Sequence, residues 1–318
     1  MVRTSSAARR AATITCSSFG RQSREQQNGG VEILSIQSSV AFGHVGNSAA
    51  VFPLQRLGIE TWAVNTVHFS NHTGYGEWRG PLLSTEELRQ VLRGVEERGV
   101  LERVAAVLSG YQGGEEVGEI VLETVARVKE LNSEAVYCCD PVMGDLGRGM
   151  FVRPGIPELI RDRVVPAADV ITPNHFELDF LAGRETRTVP DVLEAVDAVR
   201  AGAGGGGGPH TVLVTSVLTE ETPDGEVDVV AVSDEGAWSC RTPLLPIAPN
   251  GCGDVTAAVF LAHLLRTASA ETALQRVTAS VFAILEETLA AGTREIQLVA
   301  AQDSIAHPPD RFAPVRLR

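Results

Sequence analysis

From Val31 onward, short apolar runs of strand length alternate with stretches carrying helical periodicity, and this alternation limits the chain to few architectures. "VEILSIQ", "IETWAVNT", "RVAAVLS", "EAVYCC", "DVIT", "TVLVTS", "VDVVAVS" and "AWSCRTPL" read as strands, several of them with almost no polar residue to turn toward water. Strands apolar on both faces must be covered on both faces, which alternating helices do. The expected fold is therefore a three-layer α/β/α sandwich around a mainly parallel sheet. The intervening segments carry helix signals. "GNSAAVFPLQRLG" closes on Gly58, and "STEELRQVLRGVEERG" opens with Ser84 and Glu87 at capping-box spacing and stops at Gly99. "EIVLETVARVKEL" and "VPDVLEAVDAVRAG" follow, and a last helical region runs from about Asp254 to Ala306.

Composition narrows the function classes. A formal net charge of −13 argues against nucleic acid as a partner, since that needs a basic face to displace counterions. No apolar run is long enough to span a bilayer. Five cysteines, including the neighbours Cys138 and Cys139, suit reduced thiols in a cytoplasmic protein. Neither a Cys-x-x-Cys pair nor a His-Glu-x-x-His run is present. Residues 1–30, rich in Ser, Arg, Gln and Gly with no acid before Glu25, read as a disordered extension ahead of one domain, 31–318. Five consecutive glycines, Gly204 to Gly208, read as a flexible connection.

"PNGCGDVTAAVF" raises the question of chemistry. Gly251, Cys252 and Gly253 turn sharply into a helix, so their amides can form an anion cradle, with Asp254 facing whatever is held there. Asp254 as a plain N-cap is the competing reading, and capping and a catalytic role are expected to coincide in this one residue. In open parallel sheets, ligands bind beyond the carboxyl ends of the strands. Ser38, Tyr111, Asp140, Thr172, Asn174, Glu177, Thr215 and Ser216 all fall at or just beyond such ends. Each alone has an ordinary role as a turn or cap former, but together they line one edge.

In order and spacing, "SIQSSVAFGHVGNSAAVFPLQRLG", "NTVHFSNHTGYGEWRG", "LSGYQG", "CDPVMGD", "ITPNHFEL" and "GCGDVTAA" resemble the pyridoxal kinases of the ribokinase-like superfamily, over nearly the whole chain after residue 30. The resemblance implies transfer of the γ-phosphoryl group of ATP to the hydroxymethyl group of pyridoxal, pyridoxine or pyridoxamine. Mg2+ takes part, and a role for a monovalent cation such as K+ stays open. It implies a homodimer. Asp254 matches the catalytic base, in the cradle of Gly251, Cys252 and Gly253. Its place at a helix N-terminus would make it a weak base. Ser38, Thr73, Gly74, Tyr111 and Asp254 match substrate positions. Asp140, Thr172, Asn174, Glu177, Thr215, Ser216, Thr242, Pro243, Leu244 and Leu245 match the nucleotide side, with Asp140 and Glu177 toward the metal. Two departures stand out: Ser39 where many relatives have His, and Thr215 where some have Lys. His44, His68, His72 and His175 lack metal-ligand spacing and read as pocket or loop groups. The alternatives are a hydroxymethylpyrimidine kinase of the same superfamily, or a non-catalytic pyridoxal-phosphate binding and homeostasis protein.

Overall fold

The computed structural model describes residues 30–202 and 207–318. The expected N-terminal extension, apart from Gly30, and Gly204 to Gly206 of the glycine run lie outside the described residues. The strands are β1 (Glu32–Val40), β2 (Glu60–Phe69), β3 (Ala106–Ser109), β4 (Val136–Cys139), β5 (Gly144–Asp145), β6 (Gly149–Met150), β7 (Val170–Ile171), β8 (Thr211–Val217), β9 (Glu226–Ser233), β10 (Gly236–Pro243) and β11 (Val315–Arg316). The nine-stranded sheet has the order β11-β10-β9-β8-β7-β4-β3-β1-β2, and β5 pairs with β6 in a separate ribbon. From β2 to β8 every pairing is parallel, while β9, β10 and β11 join antiparallel.

The principal helices are α1 (Asn47–Arg56), α2 (Thr85–Glu96), α3 (Glu115–Leu131), α4 (Ile156–Leu159), α5 (Val165–Ala167), α6 (His175–Ala182), α7 (Val189–Ala201), α8 (Cys252–Thr267), α9 (Ala270–Ala291) and α10 (Gln302–Ala306). Because successive strand side chains point to opposite faces, each strand feeds two cores. Leu34, Ile36, Val107, Tyr137, Cys139, Val212 and Val214 pack with Leu88 of α2, Ile120 of α3, Leu178 of α6 and Val196 of α7. Ile33, Leu108, Cys138 and Leu213 pack with Leu54 of α1, Phe260 of α8, Leu274 of α9 and Ile305 of α10. This is the expected three-layer sandwich. It also accounts for the neighbouring thiols: Cys138 and Cys139 enter different cores, and the four described cysteines are unpaired.

The capping box read at Ser84 and Glu87 opens α2, with Ser84 N–H donating to Glu87 at 2.7 Å and Glu87 N–H to Ser84 at 3.3 Å. The same device recurs at Asn174 and Glu177, where it opens α6 against the end of β7. The last helical region begins at Cys252 rather than Asp254.

Candidate active site

The turn before α8 is possible only because Gly251 has no side chain. Its φ is +92°, and a Cβ there would sit 1.8 Å from the carbonyl oxygen of His44. At Gly253 a Cβ would meet only Asp140 Oδ2, at 3.6 Å, an ordinary contact. Gly251 takes the N-cap position, so Asp254 lies three residues into the helix and is not the cap. The plain N-cap reading is thereby corrected. The first amides of a helix have no intrahelical acceptor, which leaves those of Cys252 and Gly253 available to an anion.

The Asp254 carboxyl departs from the weak base expected of a helix start. Burial pushes it up to about 6, against the amide hydrogen bonds of Gly46 and of Asp254 itself, which pull the other way. Desolvation disfavours the charged form more than the helix end favours it. The Cys252 thiol is likewise pushed up to about 12, by burial and then by the Asp254 charge, so it remains a protonated thiol.

Two further carboxyls stand behind this turn. Asp140 follows the last residue of β4, takes the Thr172 hydroxyl at 3.1 Å and is almost fully buried. Burial, then the charges of Glu177 and Asp254, push its pKa well above the ordinary value, with Thr172 opposing. Glu177 is pushed up to about 7 by burial, while the amides of Met143, Asn174 and Gly144 pull it down. It accepts from Met143 at 2.8 Å, Asn174 at 2.9 Å and Gly144 at 3.4 Å. Glu177 thus ties the loop after β4 to α6 as well as lending charge. Among the described residues, no three His, Cys, Asp or Glu side chains converge on a point that a metal could occupy. A hard cation that keeps most of its own waters still fits two carboxylates lacking a cationic partner.

The remaining nucleotide-side positions continue along the same edge. Thr215 N–H donates to Pro173 O at 2.9 Å and Thr215 bridges Asn174, while Ser216 takes a positive φ of 54° where β8 bulges away from β9. Pro243 pairs with Glu226, the first residue of β9, so Thr242 to Leu245 emerge at the sheet edge where β8 ends. Thr242 is buried and Leu244 half exposed.

On the substrate side, Ile36 pairs with Ser109, so Ser38 and Tyr111 lie on adjacent strand exits. Ser38 abuts Gly46, the residue whose amide reaches Asp254. Tyr111 is half-buried, and burial raises its phenol against the pull of Arg153. Thr73 and Gly74 belong to a 3₁₀ turn, Thr73–Tyr75, set against Asn250: a Cβ on Gly74 would lie 3.0 Å from the Asn250 amide nitrogen. Ser39 shares a hydrogen bond with Ser48 of α1 at 3.2 Å, so that departure serves packing of the strand on its helix. The four histidines form no common site. His175 bonds Thr186, His44 bonds Ser48 O, His68 is exposed, and buried His72 bonds Glu295. Gly46 and Glu295 escaped the sequence reading. Neither carries a signal beyond its motif or its segment, because both act through contacts distant in sequence.

Known proteins resemble this chain over most of its length. The family profile described as phosphomethylpyrimidine kinase matches residues 102–298. That range includes the Gly251–Asp254 turn but stops short of "SIQSS" and "FSNHTGYG". A protein of Rubrobacter xylanophilus named pyridoxal kinase PdxY is 60% identical over 291 residues, covering 91% of this chain and 98% of the relative. One of Leifsonia xyli with the same name is 55% identical, covering 90% and 100%. Among solved structures, the pyridoxal kinase from Leishmania donovani in complex with ADP and ginkgotoxin superposes with a TM-score of 0.83 at 30% identity, covering 90% of this chain and 99% of that one.

Proposed function

The chain belongs to the pyridoxal kinase family, and from that premise we propose how its residues divide the reaction. The protein is a kinase that moves the γ-phosphoryl group of ATP onto the hydroxymethyl group of pyridoxal and the related vitamers. Such transfer has a loose transition state, so positioning and charge stabilisation supply most of the rate.

Asp254 accepts the hydroxymethyl proton as the substrate oxygen bonds to phosphorus and the bond to the ADP oxygen breaks. The carboxyl carries this reading: raised to about 6, it is ionised at neutral pH yet a better proton acceptor than an ordinary Asp. The Cys252 and Gly253 amides face the transferring group, with Gly251 making the close turn. Ser38, Thr73, Gly74 and Tyr111 hold the ring. Thr172, Asn174, Thr215 and Ser216 face the phosphates, and Thr242 to Leu245 face the base. Asp140 and Glu177 would hold Mg2+, which neutralises phosphate charge when bound. Their raised pKa values support this assignment: burial, and at Asp140 also the charges of Glu177 and Asp254, disfavours the ionised carboxyls, and a bound cation would offset that. A monovalent cation, a cytoplasmic location and a homodimer complete the proposal on family resemblance. No described helix is long and apolar enough to cross a membrane.

The decisive experiment is ADP release measured with pyridoxal, pyridoxine, pyridoxamine and hydroxymethylpyrimidine at matched ATP and magnesium. Higher kcat/KM for the three vitamers is expected. Equal efficiency on hydroxymethylpyrimidine would move the substrate assignment to the pyrimidine kinases.

A further inference from the structure

Glu295 lies after α9, outside every motif that carried the family resemblance, yet it touches three parts of the site. Its Oε1 accepts the Tyr75 hydroxyl at 2.7 Å and His72 Nε2 at 2.9 Å, and its Oε2 accepts the His44 amide at 3.2 Å. Its backbone bridges Asn250, the residue that starts the anion turn. Gly43 accommodates the carboxylate, since a Cβ there would lie 2.1 Å from Oε2. Its neighbour Arg294 stacks over the Tyr75 ring at 4.3 Å and donates to Gly74 O at 3.1 Å.

Burial works to raise the Glu295 carboxyl, but the hydrogen bonds from Tyr75, His72 and His44 hold it below the ordinary value. An ionised carboxylate only accepts, so the proton of the His72 contact sits on Nε2. A ring carrying its proton on Nε2 alone presents Nδ1 as an acceptor. His72 is 6% exposed, and its Nδ1 is buried with no partner among the described residues. That atom faces Gly74: a Cβ on Gly74 would lie 2.9 Å from it. A buried polar atom left unpaired is costly and calls for a reason.

We propose that Glu295 is a positioning residue acting through His72: it fixes the tautomer whose Nδ1 lone pair turns toward Gly74, there to accept a hydrogen bond from the ring hydroxyl of pyridoxal. The inference rests on the kinase reading. Of the two hydroxyls of that substrate, the hydroxymethyl group is committed to Asp254, and the ring hydroxyl, in its neutral form, can donate to a bare ring nitrogen of His72. The arrangement discriminates because a substrate lacking that donor leaves Nδ1 unpaired again.

The test is steady-state kinetics of wild type, Glu295→Gln, His72→Phe and Tyr75→Phe with pyridoxal and with 3-deoxypyridoxal, which lacks the ring hydroxyl. For Glu295→Gln and His72→Phe, KM for pyridoxal should rise roughly five- to tenfold, the scale of one hydrogen bond. KM for ATP, and KM for the deoxy analogue, should stay at wild-type values. Tyr75→Phe leaves the His72 contact in place and should not separate the two substrates. Nitrogen-15 spectra of labelled wild type should show His72 protonated on Nε2, with the Nδ1 resonance moving when pyridoxal binds but not the analogue. Equal KM losses on both substrates, no loss on either, or a ring protonated on Nδ1 would overturn the inference. Because His72→Phe leaves Glu295 its other two partners, it decides the matter even if Glu295→Gln folds poorly. Wild type that fails to turn over pyridoxal at all would instead sink the kinase reading.

Discussion

Around the 3₁₀ turn at Thr73–Tyr75, the negative charge of Glu295 meets hydrogen-bond donors at both oxygens, and its carboxyl is held below its ordinary pKa. Around the nucleotide edge, Asp140 and Glu177 are buried with raised pKa values, and their hydrogen-bond partners are a hydroxyl and backbone amides rather than a cation. One side is satisfied in the protein as it stands. The other holds buried carboxyls whose ionised forms are disfavoured and which a bound cation would stabilise. Asp254 lies between the two, with its amide partner Gly46 on the substrate side and its charge felt by Asp140 on the other.

The strongest way to break this comparison is at the junction. Asp254→Asn should lower kcat at least about a hundredfold, the lower range for a positioned acid–base group, while pyridoxal and ATP still bind by calorimetry. Melting should not fall, since Asp254 is not the helix cap and its buried carboxylate is disfavoured at neutral pH. Turnover near wild type would reduce its carboxylate to a helix-start ornament. The two glycines beside it should then separate. Gly251→Ala, at φ +92° and against His44 O, should displace the turn and cost roughly a hundredfold in kcat, the scale of one lost anion-hole donor. Gly253→Ala, with only a 3.6 Å contact to Asp140, should cost far less. Kinetics on both variants, with circular dichroism to verify folding, would expose an equal loss if the cradle is equally tight at both.

A smaller effect of opposite sign should appear at Asp140. Asp140→Asn keeps the Thr172 partner and removes a carboxyl whose ionised form burial and the Glu177 and Asp254 charges disfavour, so the ligand-free protein should melt about 2 °C higher, while kcat/KM for ATP falls. Lower stability would mean that the nucleotide side is not electrostatically strained. The mildest test is pH. Asp254 and Glu177 have folded pKa values of about 6 and 7, above the ordinary range, so the folded chain binds their protons more tightly than the unfolded one. Their contribution to stability is complete at low pH and is lost as pH rises through about 6 to 7. Activity should move the other way, because the base must be ionised: kcat/KM should fall as pH drops through that window. An acid limb near pH 4 would contradict the burial of Asp254.

Much of this site is legible in the chain because it lies at strand ends. Once β1, β3, β4, β7 and β8 are read as parallel, Ser38, Tyr111, Asp140, Thr172 and Thr215 must share one edge. Spacing also marks α6, since Asn174 and Glu177 repeat the capping box seen at Ser84 and Glu87. The protonation behaviour of Asp254 was not legible. A helix start argues for a low pKa, and only the burial produced by packing α8 behind Gly46 and Asp140 reverses it. Glu295 was equally hidden: its partners His44, His72 and Tyr75 stand more than 200 positions away.

Local sequence determined the elements, the two faces of each strand, the family motifs and the glycine that the anion turn requires. These depend on periodicity and on backbone conformations set within a few residues. Tertiary structure alone decided which carboxyls lose their water, which histidine nitrogen is left bare, and which acid ties the turn at Tyr75 to the segment before α8. Desolvation and long-range hydrogen bonding depend on what the fold brings alongside a residue, and no run of neighbours in the chain encodes that by itself.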